Sequence, residues 1–75
     1  MTPDYQTSLS THDAAKLLGR LAAKIEANAY DAAYRDAALA VATSIASGTG
    51  GTVNLFLTEA EKKACIAAER DFKAV

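Results

Sequence analysis

In 75 residues the chain carries one cysteine, one histidine, one proline, one methionine and no tryptophan. With Cys65 alone, an internal disulfide is excluded, and with His12 alone there is no ligand cluster for structural zinc. No apolar run approaches the ~20 residues that a membrane-spanning helix needs. Neither sign of charge dominates: eight Lys and Arg stand against nine Asp and Glu, for a formal net charge of −1. That leaves no basic field to hold a nucleic-acid backbone. The opening MTPDYQTSLSTHD is polar and acidic, unlike a signal peptide. A free cysteine without an export signal points to a reducing, cytoplasmic setting. There is no internal repeat at a solenoid period.

What the chain has is alanine and short apolar stripes. The stretch from Tyr30 to Ser47, YDAAYRDAALAVATSIAS, holds seven alanines in eighteen residues. Tyr30, Tyr34, Ala37, Ala38, Val41 and Ile45 recur at helical spacing, while Ala32, Leu39, Ala42, Thr43 and Ala46 share the other side with Arg35 and Asp36. A helix so nearly apolar all round calls for neighbours on more than one side. A chain this short buries only ~60–65% of its unfolded surface. Small domains of this kind gain stability from a disulfide, a metal or a partner chain, and the first two are lacking here. Self-association is the remaining expectation. The alanine richness is a compositional association with bacterial and phage proteins.

Residues 1–9, with Pro3 and several small polar side chains, read as a flexible arm that Tyr5 and Leu9 pin to the body. A single helical domain over 10–75 follows. Its first helix begins at Ser10 or Thr11, where Ser10 and Asp13 resemble a capping box with the shorter acid. Ala14, Leu18, Leu21, Ala22, Ile25 and Ala29 form its stripe, with Lys16, Arg20 and Lys24 as a solvated ridge. At 28–31 there is neither Gly nor Pro. The stripes on the two sides of this join are offset by sixteen residues, about 160° of helical rotation, so an unbroken helix would turn its apolar face over. A break is preferred, with Asn28 as cap and Asp31 at the third position.

Ser47-Gly48-Thr49-Gly50-Gly51-Thr52 ends the second helix, with Gly48 able to take the left-handed conformation of a helix terminator. Val53 to Leu57, VNLFL, reads as an extended docking segment, because a lone strand would have no partner within the chain. Thr58 with Glu61 gives a capping box for a third helix. Its inward stripe is Leu57, Ala64, Cys65, Ala68, Phe72 and Val75, and Ile66 projects among Lys62, Lys63, Glu69 and Arg70.

Candidate chemistry is sparse. Gly48–Thr52 lacks the lysine and spacing of a Walker loop and follows a helix rather than a strand, so it reads as a terminator. Cys65 lies on an apolar face with no neighbouring histidine to activate it and reads as a small buried hydrophobe. His12 has no visible nucleophile to serve. Leu9-Ser10-Thr11-His12-Asp13-Ala14-Ala15-Lys16-Leu17-Leu18-Gly19 resembles the opening of excisionase- and MerR-type helix-turn-helix domains, in the form LST-x-x-AA-x-LLG. The resemblance covers eleven residues and implies DNA binding. After Gly19 the basic recognition helix of those families is missing, and the helical stripe runs on.

The fold expected is all-α: a helical hairpin and a third capped helix after the Gly-rich loop. The function expected is a non-enzymatic protein–protein interaction module, a small bacterial or phage regulator or inhibitor that binds a larger protein and self-associates. No cofactor, metal or membrane is expected. The partner-binding residues are Tyr30, Tyr34, Arg35, Leu39, Ala42, Ala46 and Ile66, chosen as tyrosines with wet and dry ends or as surplus apolar surface. One alternative is a small-ligand or nucleotide site at a subunit junction, built from Tyr30, Tyr34, Arg35 and the Gly48–Thr52 amides. The other, ranked below it, is helix-turn-helix DNA binding.

Overall fold

The computed structural model describes residues 5–27, 31–48 and 50–69. Their order is β1 (Tyr5–Ser10), α1 (Thr11–Ala27), α2 (Ala32–Ser47), β2 (Thr52–Leu57) and α3 (Glu59–Ala68). The all-α expectation, and with it the description as a helical bundle, is overturned. β1 and β2 form a two-stranded antiparallel sheet, and the fold is a small mixed α/β one. The segment expected to be an arm supplies one strand, and the segment expected to be a docking strip supplies the other. Each is the partner that the other needs.

The register is unbroken, from Tyr5 opposite Leu57 to Ser10 opposite Thr52. One step further, the Thr11 N–H donates to the Gly51 carbonyl at 3.0 Å. That bond sets the phase of the ladder. Hydrogen-bonded and non-hydrogen-bonded pairs alternate in an antiparallel sheet. Leu9–Val53, Thr7–Leu55 and Tyr5–Leu57 are therefore the hydrogen-bonded pairs. The N–H and C=O groups of Gln6, Ser8 and Ser10, and those of Thr52, Asn54 and Phe56, point away from the partner strand.

Alternation also sorts the side chains. Val53, Leu55 and Leu57 turn inward with Thr7, while Thr52, Asn54 and Phe56 face out, where the Ser8 hydroxyl donates to Asn54 Oδ1 at 3.0 Å. The core beneath the sheet joins Leu55 and Leu57 to Leu17 and Leu21 of α1, Ala37 and Val41 of α2, and Ala64 and Cys65 of α3. On α1 the stripe is rotated slightly from its expected position. Leu17 is buried and Leu18 only half-buried, while Ala22 is exposed. Adjacent leucines both satisfy helical spacing, and the sheet above decides which one turns in.

The helix ends are chemically explicit. Asp13 N–H donates to Ser10 Oγ at 3.1 Å, capping α1. The extended backbone of Asp31, φ −88° and ψ 100°, separates α2 from the helix before it, in line with the expected break. The cap of α2 is Asp31, whose carboxylate accepts from Ala33 N–H at 3.0 Å, and Asn28 lies outside the described residues. The capping box of α3 is present in both directions: Glu61 N–H donates to Thr58 Oγ1 at 3.3 Å and Thr58 N–H donates to Glu61 Oε1 at 2.9 Å. Gly48 is not left-handed; its φ is −71°. It is needed for space, because a Cβ there would sit 3.0 Å from the Thr52 carbonyl oxygen. The left-handed residues are Gly50 and Gly51, at φ 66° and 77°, and they turn the chain into β2.

Candidate functional site

Among the described residues, the large apolar side chains left most open are Leu39 on α2, 68% exposed, Phe56 on β2, 49%, and Ile66 on α3, 44%. Leu39 and Phe56 meet across an open groove between α2 and the outer edge of β2. One part of it, ≈ 330 Å³, is lined by Asp36, Leu39, Ala40, Thr43, Ser44, Phe56 and Glu61. A second part, ≈ 270 Å³, shares Ser44 and Phe56 and continues to Gly48 and Thr52. Carboxylates stand at one end and small hydroxyl side chains at the other.

Local structure places each wall. α2 is held by the Asp31 cap, and its buried residues Ala37 and Val41 fix the rotation that turns Leu39 outward. The pleat of β2 puts Phe56 out because Leu55 and Leu57 are in. Ser44 donates its hydroxyl proton to the Ala40 carbonyl at 2.8 Å, which satisfies it within the helix. The outward backbone groups of Asn54 and Phe56 face the groove side of β2, so the wall offers hydrogen bonds as well as apolar surface.

Among the expected partner-binding residues, Arg35, Leu39 and Ala46 lie on the outer side of α2, and only Leu39 lines the groove. Ala42 is half-buried. Tyr34 is half-buried against the core and lines a separate recess with Asp31 and Lys63. Tyr30 lies outside the described residues. Ile66 is on another face: its helical neighbours are Lys62, whose ammonium sits 3.8 Å from the centre of the Tyr5 ring, and Glu69, which meets Arg20 at 3.7 Å. Phe56 was missed, and its signal was the alternation of Val53, Leu55 and Leu57 around it. Tyr34 and Gly48 sit at opposite ends of α2, about 21 Å apart at ~1.5 Å per residue, so within one chain they cannot close on one small ligand.

Cys65 is fully buried. Burial, and secondarily the Glu61 carboxylate, pushes its thiol from 9.0 up to about 12, so the thiolate is suppressed and the group is a poor nucleophile. No cluster of three or more His, Cys, Asp or Glu among the described residues is arranged to hold a metal ion. No described helix is long and apolar enough to cross a membrane. α1 runs unbroken through Gly19, and Leu9 and Ser10 belong to β1, so the turn that a helix-turn-helix needs after that glycine is not formed.

No family model, characterised protein or solved structure matches this chain.

Proposed function

We propose that the chain is a non-enzymatic protein–protein interaction module, a small cytoplasmic regulator or inhibitor of bacterial or phage type that docks a larger protein in the α2–β2 groove. The observation that carries this reading is the shared position of Leu39 and Phe56. Each is a large apolar residue left open on an element whose other large apolar side chains are buried or half-buried, and both line one groove. Single exposed apolar residues are ordinary, whereas two at one concavity with a polar rim have the composition of a docking surface. Self-association is part of the same proposal.

The test uses the full chain as bait in parallel with Leu39→Glu. A protein retained by the wild type and lost with Leu39→Glu, at unchanged melting temperature, is the expected result. Equal capture by both baits, or none by either, would sink the reading.

A further inference from the structure

The groove uses one edge of the sheet. The other edge, along β1, has no strand beside it among the described residues: β1 pairs with β2 and runs into α1. Proteins normally blunt such an edge with lysine, proline, a bulge or an inward charge. β1 is YQTSLS, with no charge and no proline, and its register against β2 has no bulge.

We infer that this edge pairs with β1 of a second copy, antiparallel, across a twofold axis at Ser8. The phase of the ladder together with the length of β1 selects that centre. The backbone groups of Gln6, Ser8 and Ser10 are the ones that point outward, and they are symmetric about Ser8. Placing Ser8 opposite the partner's Ser8 puts Gln6 opposite the partner's Ser10; the Ser10 carbonyl is engaged by the first turn of α1, and the remaining outward groups meet their complements for about four hydrogen bonds. An axis at Thr7 or Leu9 would also match outward groups, but it would leave Ser10 or Gln6 without a partner inside the six-residue strand, and an axis between residues would oppose groups already used within the β1–β2 ladder.

The side chains agree with this register. On the outer face the pairs are serine with serine and glutamine with serine, small and uncharged, so no like charges meet. On the inner face the half-buried Leu9 comes opposite the partner's Thr7 and loses its remaining exposure. The product is a four-stranded sheet with all helices on one side. A two-stranded sheet is marginal in water, and three or more strands over an apolar face are needed for independent stability. β2 does not offer the same pairing, because α2 flanks its edge and Gly48 closes on Thr52.

The inference deepens the self-association in the proposed function and is independent of the groove. Mass in solution is measured by light scattering from about 10 μM to about 1 mM. A rise from monomer to dimer is expected for the wild type. Ser8→Pro removes an N–H that points to the partner and none that serves the β1–β2 ladder. It should raise the dissociation constant at least about tenfold with the helical circular dichroism retained. A cross-link fixes the register even if that variant folds poorly. In the dimer the Ser8 Cα atoms lie about 5.5 Å apart, within the ~4.4–6.8 Å of a disulfide. Under mild oxidation Ser8→Cys should form a covalent dimer. Gln6→Cys should not, because its copies are ~13 Å apart at about 3.3 Å per residue. Buried Cys65 should stay silent, which oxidation of the wild type checks. A wild type monomeric throughout the series, equal cross-linking of the two cysteine variants, or a dimer dissolved by Leu39→Glu and untouched by Ser8→Pro overturns it. Equal capture by wild type and Leu39→Glu, or capture by neither, with the dimer intact counts against the groove alone.

Discussion

Strand β2 divides its side chains without exception of position: Val53, Leu55 and Leu57 are in, and Thr52, Asn54 and Phe56 are out. Helix α2 does not divide so cleanly. Ala37 and Val41 are buried, but Ala33, Tyr34, Ala38, Ala40, Ala42, Ser44 and Ile45 form a broad half-buried belt before the open side at Leu39 is reached. A strand alternates every residue, so a side chain has only two environments. A helix turns 100° per residue, and alanine is small enough to sit anywhere between them. The burial of β2 is thus set by the pleat, and that of α2 by whatever packs around it. Phe56 is an exception of chemistry on an orderly strand, and Leu39 is the open large apolar residue of a graded helix. Their agreement on one groove is the more informative because they arrive there by different geometry.

The largest test of this contrast is on the strand. Leu55→Ala empties a fully buried position beneath the sheet and should cost about 2–5 kcal/mol, enough to unfold a domain of this size, read by thermal melting in circular dichroism. Leu39→Ala on the helix should leave the melt almost unchanged. If the two proved equal, the division between closed and open faces would be wrong.

The next effect is alkaline. Cys65 holds its proton in the fold to about 12, against 9.0 unperturbed. Above about pH 9 the unfolded chain releases this proton and the folded one does not. Its contribution is therefore intact below pH 9 and declines as pH rises toward 12. Denaturant titrations at rising pH should show the decline, and Cys65→Ala, less stable at neutral pH, should show a smaller slope over that window.

Thr58→Ala removes the side-chain acceptor for Glu61 N–H and should cost ~1 kcal/mol by chemical denaturation. The smallest effect should come from Leu39→Glu with Phe56→Ser. On open positions the pair should shift stability by no more than about 0.5 kcal/mol each while abolishing partner capture. A large loss of stability instead would mean that these side chains serve the fold.

Much of the helical architecture was legible. The Ser10 and Thr58 caps, the break before α2, the buried Ala37 and Val41 and the inward Cys65 all follow from local signals of a few residues. The sheet was not, for a physical reason. Tyr5, Thr7 and Leu9 alternate as a strand should, but Thr7 is polar and the segment has only six residues, so its apolar face was faint. VNLFL read alone has no visible strand partner, because the partner is the polar 5–10 segment, whose own signal is that of an arm. Leu17 failed differently: choosing between neighbouring leucines needs the direction of the sheet. Leu39 could be read as surplus apolar surface, whereas Phe56 could be placed only once VNLFL had become a pleat.

The pairing of β1 with β2 has a consequence for how the molecule is made. Tyr5 and Leu57 are 52 positions apart and Ser10 and Thr52 are 42 apart, by difference of their residue numbers. During synthesis β1 emerges first and must wait for α1, α2 and the glycine turn before its complement exists. The helical hairpin, closed by local contacts, is free to form in that interval, and the strand is not. Until then β1 is an uncharged extended segment with both edges open. On a crowded polysome the same edge that fits a second copy would be offered to every neighbouring nascent chain.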